Sequence, residues 1–252
     1  MAQGVPLKKA IVLLEKVETL SSGDLTNDFT MGSLRKEIET LKKSDAAKAF
    51  AISGELLFKM AEYDQARLEY SKSFQLDPYD KVASYNYATS LAYNGFVPEA
   101  YEAFKVALKN SKEPSRYEKI TQLSMTNLLL NDAKKAIDEL VKMKSDIENI
   151  GYDYSTISSI RDFFIKNNIQ DDDVSILASE AWNCLVENKI HHHVTTSIAL
   201  YPQDFIKFNI YLDINSDTIV DLNIELATKL SQLDLPNNVV ENVSVGYIPL
   251  TE

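Results

Sequence analysis

The stretch FAISGELLFKMAEYDQARLEYSKSFQLDP, residues 50–78, superposes without a gap on SYNYATSLAYNGFVPEAYEAFKVALKNSKEP, residues 84–114, at a shift of 34 residues. Self-similarity at a fixed period of this length marks stacked helical units, each of which buries its apolar face against the next. Small residues at Gly54 and Ala88 would let the two helices of a unit approach closely, and Ala66 and Ala100 would do the same from the second helix. Tyr70 and Phe104, one turn later, are large enough to fill the space between successive units. Chain breaks fall where such helices must end, at Glu62-Tyr63-Asp64, Asp77-Pro78, Asn94-Gly95 and Glu113-Pro114.

The frame of Gly54, Leu57, Tyr63, Ala66 and Tyr70, repeated as Ala88, Leu91, Val97, Ala100 and Phe104, with Pro78 closing the first copy and Ala107 on the second helix of the next, resembles the tetratricopeptide repeat family. A third, weaker copy needs a shift of 36 to bring Ala136 onto Ala100; it puts Ser124 on the small position and Asn131-Asp132 on the turn between helices. The resemblance covers roughly residues 47–148. Helical periodicity also runs over residues 5–20 and 31–43 upstream, and over 155–166 and 174–188 downstream, as expected of capping helices that close the ends of an array. The expected fold is mainly α, a TPR-like α-solenoid of helical hairpins over residues 1–189, followed by a small α+β module over residues 190–252.

In arrays of this family the first helix of each hairpin lines the concave face, so the resemblance implies a partner-binding groove made of Lys48, Glu55, Phe58 and Lys59, then Tyr85, Asn86, Thr89 and Tyr93, then Gln122, Met125 and Leu129. Aromatic anchors beside polar groups suit a peptide or a helix of another protein. One subgroup clamps a terminal carboxylate with Lys, Asn and Arg at set positions. Here only Asn86 matches, the others being Ala51, Glu55, Glu118 and Gln122, so that clamp is not expected.

After Asn188 the apolar period changes from about 3.6 to 2. Ile190, His192, Val194, Thr196, Ile198 and Leu200 alternate with more polar residues, Tyr201-Pro202-Gln203-Asp204 reads as a turn, and Ile206, Phe208, Ile210, Leu212 and Ile214 alternate again. A helix through Ile219, Leu222, Leu226, Leu230 and Leu233 and a strand through Val243, Val245 and Tyr247 complete a ββαβ order, which favours a parallel last pair. So thin a sheet is expected to pack on the preceding helices or to form a homodimer through an edge strand.

Charge is divided unevenly. Residues 151–252 hold 5 Lys+Arg against 15 Asp+Glu, so they carry a balance of −10 out of the chain's −11. That argues against nucleic-acid binding there and suits a solvated face or a basic partner. Glu15 and Glu18 interrupt the first apolar run as in an amphipathic helix rather than a signal peptide, no membrane span is expected, and the single Cys184 fits a reducing cytoplasm.

Little in the chain suggests chemistry. On a strand His191 and His193 would face one way and His192 the other, with no ligand cluster nearby. Asp213, Asn215 and Asp217 imitate the start of a calcium loop, but Thr218 and Ile224 stand where its Gly and Glu belong, leaving Ser216 or Asp217 as a helix N-cap. Asp171-Asp172-Asp173 suits the start of a helix, and Cys184 beside Trp182 reads as a buried thiol. No catalytic, metal or cofactor residue is expected. The expected function is protein binding, as an adaptor or chaperone-like module in the cytoplasm; the alternative is an antitoxin-like inhibitor acting through the acidic C-terminal module.

Overall fold

The computed structural model describes residues 4–110, 113–145, 154–190, 194–201 and 205–250. It is 71% helical and ends in a small three-stranded sheet, which is the mainly α fold with an α+β tail that the periodicities imply. Two compact units make up the chain, one of residues 1–94 and 109–111, the other of residues 95–108 and 112–252.

The first unit contains α1 (Gly4–Glu18), α2 (Ser22–Leu25), α3 (Asp28–Lys42), α4 (Ala46–Lys59), α5 (Tyr63–Leu76) and α6 (Lys81–Tyr93). Short polar residues start four of them: Ser21, Asn27, Asp45 and Asp80 each accept hydrogen bonds from backbone N–H groups in the first turn of α2, α3, α4 and α6. The apolar stripes of α1, α3 and α4 meet in one core around Val17, Leu34, Ile38, Leu41 and Ile52. At Gly54 the Tyr70 ring of α5 lies against the backbone of α4. A Cβ built there would lie 2.8–2.9 Å from three ring carbons of Tyr70. The Tyr70 ring thus turns back on its own hairpin, and its hydroxyl donates to Glu55 Oε2 at 2.8 Å.

The second unit holds α7 (Val97–Asn110), α8 (Pro114–Thr126), α9 (Leu130–Lys142), α10 (Tyr154–Lys166), α11 (Asp171–Glu187), β1 (Val194–Tyr201), β2 (Phe205–Leu212), α12 (Ser216–Leu230), α13 (Asn237–Asn242) and β3 (Val243–Pro249). In the third hairpin the inter-helix turn is Asn127-Leu128-Leu129, not Asn131-Asp132, which begin α9 instead. Asp132 accepts a hydrogen bond from the buried Tyr101 of α7. Asp171 lies inside the first turn of α11, yet its carboxylate accepts the Asn131 N–H of α9 at 2.7 Å and so serves a helix other than its own.

Burial raises the Asp171 carboxyl above its ordinary 3.8, and the Asn131 N–H offsets only part of that. The folded state therefore holds this proton more tightly than the unfolded chain. Its contribution to stability is complete below pH 3.8 and is lost as pH rises through the folded value. Urea titrations from pH 3.5 upward should show Asp171→Asn removing part of any fall of stability in that window; an unchanged slope would refute the assignment.

Helix ends follow one plan. Ala61, Leu128, Lys144, Asn168 and Lys189 all adopt left-handed backbone with φ of 52–59°, and Gly95 does so at 78°. After each non-glycine one, the next N–H closes back five residues, as in Leu129 to the Ser124 carbonyl at 2.8 Å and Ile190 to Leu185 at 2.8 Å. A side chain at this conformation is strained, and Ala61 is exposed. Ala61→Gly is expected to raise stability by about 0.5 kcal/mol, net of the entropy of the unfolded glycine, in a chemical denaturation curve.

A buried asparagine precedes two of these residues. The Asn94 amide donates to the carbonyls of Ser90 at 2.7 Å and Tyr63 at 3.1 Å. The Asn127 amide donates to Leu123 at 2.7 Å and Val97 at 3.5 Å. Tyr63 and Val97 are the first residues of α5 and α7 and stand 34 apart in sequence, so the same bridge recurs with the repeat.

The sheet order is β1-β2-β3, with β1 antiparallel and β3 parallel to β2, as the ββαβ order implies. Ile206, Phe208, Ile210 and Leu212 of the central strand are buried, and so are Ile219, Leu222 and Leu226 of α12. The cap of α12 is Asn215, whose side chain accepts from the Thr218 N–H at 2.9 Å; Ser216 and Asp217 lie inside the helix. The sheet packs within the second unit, where Tyr247 of β3 donates to the Ala181 carbonyl of α11 at 2.5 Å. Asn223 of α12 binds the backbone of Tyr247 in both directions, accepting its N–H at 2.9 Å and donating to its carbonyl at 3.0 Å.

Candidate functional site

In the first unit the face made by α4 and α6 carries most of the expected groove residues, and they separate into two clusters. At the C-terminal ends of these helices three rings gather. Phe58 meets Tyr63 edge-on at 5.2 Å and Tyr93 at 4.9 Å, while Tyr63 and Tyr93 stack at 6.1 Å. Tyr93 is 51% exposed, so the cluster is anchored on its inner side and open on its outer side. Tyr63 was not expected in the groove; its position at a helix start gave no periodic signal for this role.

Toward the N-terminal ends lies a cavity of about 210 Å³, lined by Lys48 and Asn86 from the expected groove. Its apolar wall includes Ile11 and Leu14 of α1, Ala51 and Ile52 of α4, and Val82 and Ala83 of α6. Asp45, Asp77 and Asp80 also line it. Lys48 reaches back to Asp45 at 3.1 Å. Ser73, 1% exposed, lines the same cavity, and its Oγ has no hydrogen-bond partner among the described residues. An unmade bond at a buried hydroxyl costs about 1–3 kcal/mol, which calls for an explanation.

The other expected groove residues have structural duties or little surface. Lys59 donates to the Glu18 carbonyl at 2.6 Å and closes the C-terminal end of α1. Glu55 accepts from Tyr70, whose hydroxyl burial and the Glu55 charge hold protonated far beyond its ordinary range. Tyr85 is half-buried, as is Thr89, whose Oγ1 also lacks a hydrogen-bond partner among the described residues. In the second unit Gln122 is half-buried and accepts from Lys119 at 3.2 Å, Met125 is fully buried in the core, and Leu129 stands in the turn before α9. Met125 therefore offers no side-chain surface, because α8 turns it inward with Leu123 and Ser124.

Among the described residues no group of three or more His, Cys, Asp or Glu could hold a metal ion, and no helix is long and apolar enough to cross a membrane. His191, His192 and His193 lie outside the described residues. Cys184 is buried, and desolvation pushes its thiol up, away from the nucleophilic form. Trp182 of the same helix donates to the Thr126 carbonyl at 3.0 Å. No family model matches the chain, and no curated protein does.

Proposed function

We propose that this chain is a tetratricopeptide-type protein-interaction module, an adaptor or chaperone-like component that acts without catalysis and holds a peptide or helix of a partner in its groove. The observation that carries this reading is the half-exposed ring cluster of Phe58, Tyr63 and Tyr93 on the face of α4 and α6. Anchored aromatics with one open side are the groups that dominate binding energy at protein interfaces. The bridge from Asn94 to Tyr63, repeated as Asn127 to Val97, supports the repeat reading on which the groove rests. The single buried Cys184 and the acidic balance fit a cytoplasmic protein that binds neither nucleic acid nor membrane. Pairing of two copies through the sheet would use β1, because Asn223 occupies the middle of the β3 edge.

The test is capture of partners from lysate of the source organism by the intact chain and by a Tyr85→Ala, Tyr93→Ala double variant that keeps its fold. A partner held by the intact chain is expected to bind the variant about tenfold more weakly, since loss of an exposed anchor such as Tyr93 costs roughly 1–2 kcal/mol. Equal retention by both would refute the groove. The −10 balance of residues 151–252 favours a second reading, an antitoxin-like inhibitor that masks a basic surface. In that case binding falls steeply with added salt and ignores both tyrosines.

A further inference from the structure

Helices α1 and α3 of the first unit leave an open slot of about 570 Å³ between them, lined by residues that take no part in the groove. The α1 wall is Lys8, Lys9, Val12 and Leu13, whose spacing puts all four on one face of the helix. The α3 wall runs from Ser33 through Lys36 and Thr40 to Ser44, just past the helix end. At a rise of about 1.5 Å per residue that wall is roughly 16 Å long, three helical turns. Lys8, Lys9 and Lys36 are exposed and make no ion pair or side-chain hydrogen bond among the described residues. The carboxylate in the slot, Glu37, is held by Lys16 at 2.8 Å, so the three ammonium groups have no counter-charge there. Thr40 and Ser44 donate to the carbonyls of Lys36 and Leu41, which leaves the lysines and Ser33 as the donors that the slot presents to solvent. Val12, one turn on from Lys8, is 51% exposed. A positive patch around an uncovered valine stands out in a chain of net charge −11. A compact inorganic anion would fill little of a trough this long and would leave Val12 bare. Carboxylates carried on a chain, with an apolar side chain among them, match both walls.

We infer that this slot holds an acidic segment of a partner protein, an extended run of about five residues at ~3.3 Å each. Its carboxylates accept from Lys8 and Lys9 on one wall and from Lys36 on the other, and an apolar side chain covers Val12. Selectivity comes from sign, since a basic segment is repelled by all three lysines and a neutral one leaves them unmatched. The slot uses none of the groove residues, so it stands whether or not the groove binds.

The experiment uses the full chain, labelled with ¹⁵N, and an acetylated, amidated Glu-Leu-Glu-Leu-Glu peptide as the probe. Controls are the same peptide with Gln for Glu, inorganic phosphate, and phosphatidylcholine vesicles containing phosphatidylserine. The acidic peptide is expected to shift the amides of Lys9, Val12, Ser33 and Lys36 saturably. At low salt it should bind about tenfold more tightly than the Gln peptide, the combined worth of three exposed ion pairs. That margin should shrink several-fold between roughly 0.02 and 0.3 M ionic strength. A Lys8→Gln, Lys9→Gln double variant and Lys36→Gln change only exposed, unpaired side chains, and each should weaken the acidic peptide several-fold. Val12→Ser should weaken it a few-fold at unchanged salt dependence. Equal binding of the two peptides, indifference to the lysine variants, or no shift at these amides would overturn the inference. Phosphate that moves the same amides with equal affinity would reduce the slot to a site for any anion. Retention on the vesicles that the lysine variants abolish would assign it to a membrane surface, and self-association that they abolish would assign it to a second copy of the chain. Each of these three results also overturns the inference.

Discussion

Replacing Gly54 by valine is expected to lower the stability of the chain by about 3 kcal/mol, because the new Cβ would overlap three ring carbons of Tyr70 at 2.8–2.9 Å. Relief is costly. Tyr70 is 3% exposed, and its hydroxyl is tied to Glu55, so the ring gives way only if that bond is broken. In a chain of this size the loss corresponds to a fall in Tm of roughly 6–12 °C. Gly54→Ala sets two known effects against each other. Alanine gains about 1 kcal/mol of helix propensity, whereas overpacking costs about 1–3 kcal/mol, so a net loss is expected. In a Tyr70→Leu background the overlap is gone, and the same Gly54→Ala change should raise stability by up to about 1 kcal/mol. Stabilisation by Gly54→Ala in the native background would show that close approach of α4 and α5 is not the reason for glycine here.

Asn127→Ala is expected to cost about 2–3 kcal/mol in a denaturant midpoint at unchanged slope. The amide is 2% exposed, and truncation removes both its bond to Leu123 and its bridge to the start of α7 at Val97. Asn127→Asp should be worse, since a carboxylate would face two carbonyl oxygens it cannot donate to. Asn94→Ala is expected to lose a similar amount through Ser90 and Tyr63. If either asparagine can be removed without loss, the recurrence of the bridge plays no part in holding the repeats.

The sequence revealed these repeats unevenly, for reasons that lie in particular residues. Small and aromatic positions were legible because geometry allows few alternatives: Gly54, Ala66, Ala88, Ala100 and Phe104 are all buried where the frame requires close packing. The turn of the third hairpin was not. Left-handed backbone is expected at glycine, as at Gly95, but Leu128 adopts it at φ 59° while fully buried, so an apolar run conceals the chain break. Asn131-Asp132 looked like a turn because short polar residues favour both turns and helix starts, and here they begin α9. The last strand pair was legible from the order strand, helix, strand; the short α13 was not, since six residues show no period.

The groove proposed above was legible as a helix face and not as a site. Periodicity puts Lys48, Glu55, Phe58 and Lys59 on one side of α4, but it does not say which of them are engaged. Two of those side chains, Glu55 and Lys59, hold Tyr70 and α1 in place. The cavity depends on Ser73 and on Ile11, which belong to elements that the repeat frame does not assign to the concave face.

The pair of hydrogen bonds between Asn223 and Tyr247 also governs how the C-terminal sheet meets other polypeptides. A strand at a sheet boundary ordinarily offers a ladder on which a foreign strand can grow, and fibrils begin that way. Along β3 the outward groups alternate, so Tyr247 and Pro249 share that boundary, and Pro249 has no N–H to offer. With Tyr247 already saturated by a side-chain amide, the ladder is interrupted midway. A single asparagine on a helix thus acts as the sheet's fourth strand in miniature, and it makes this boundary a poor template for aggregation.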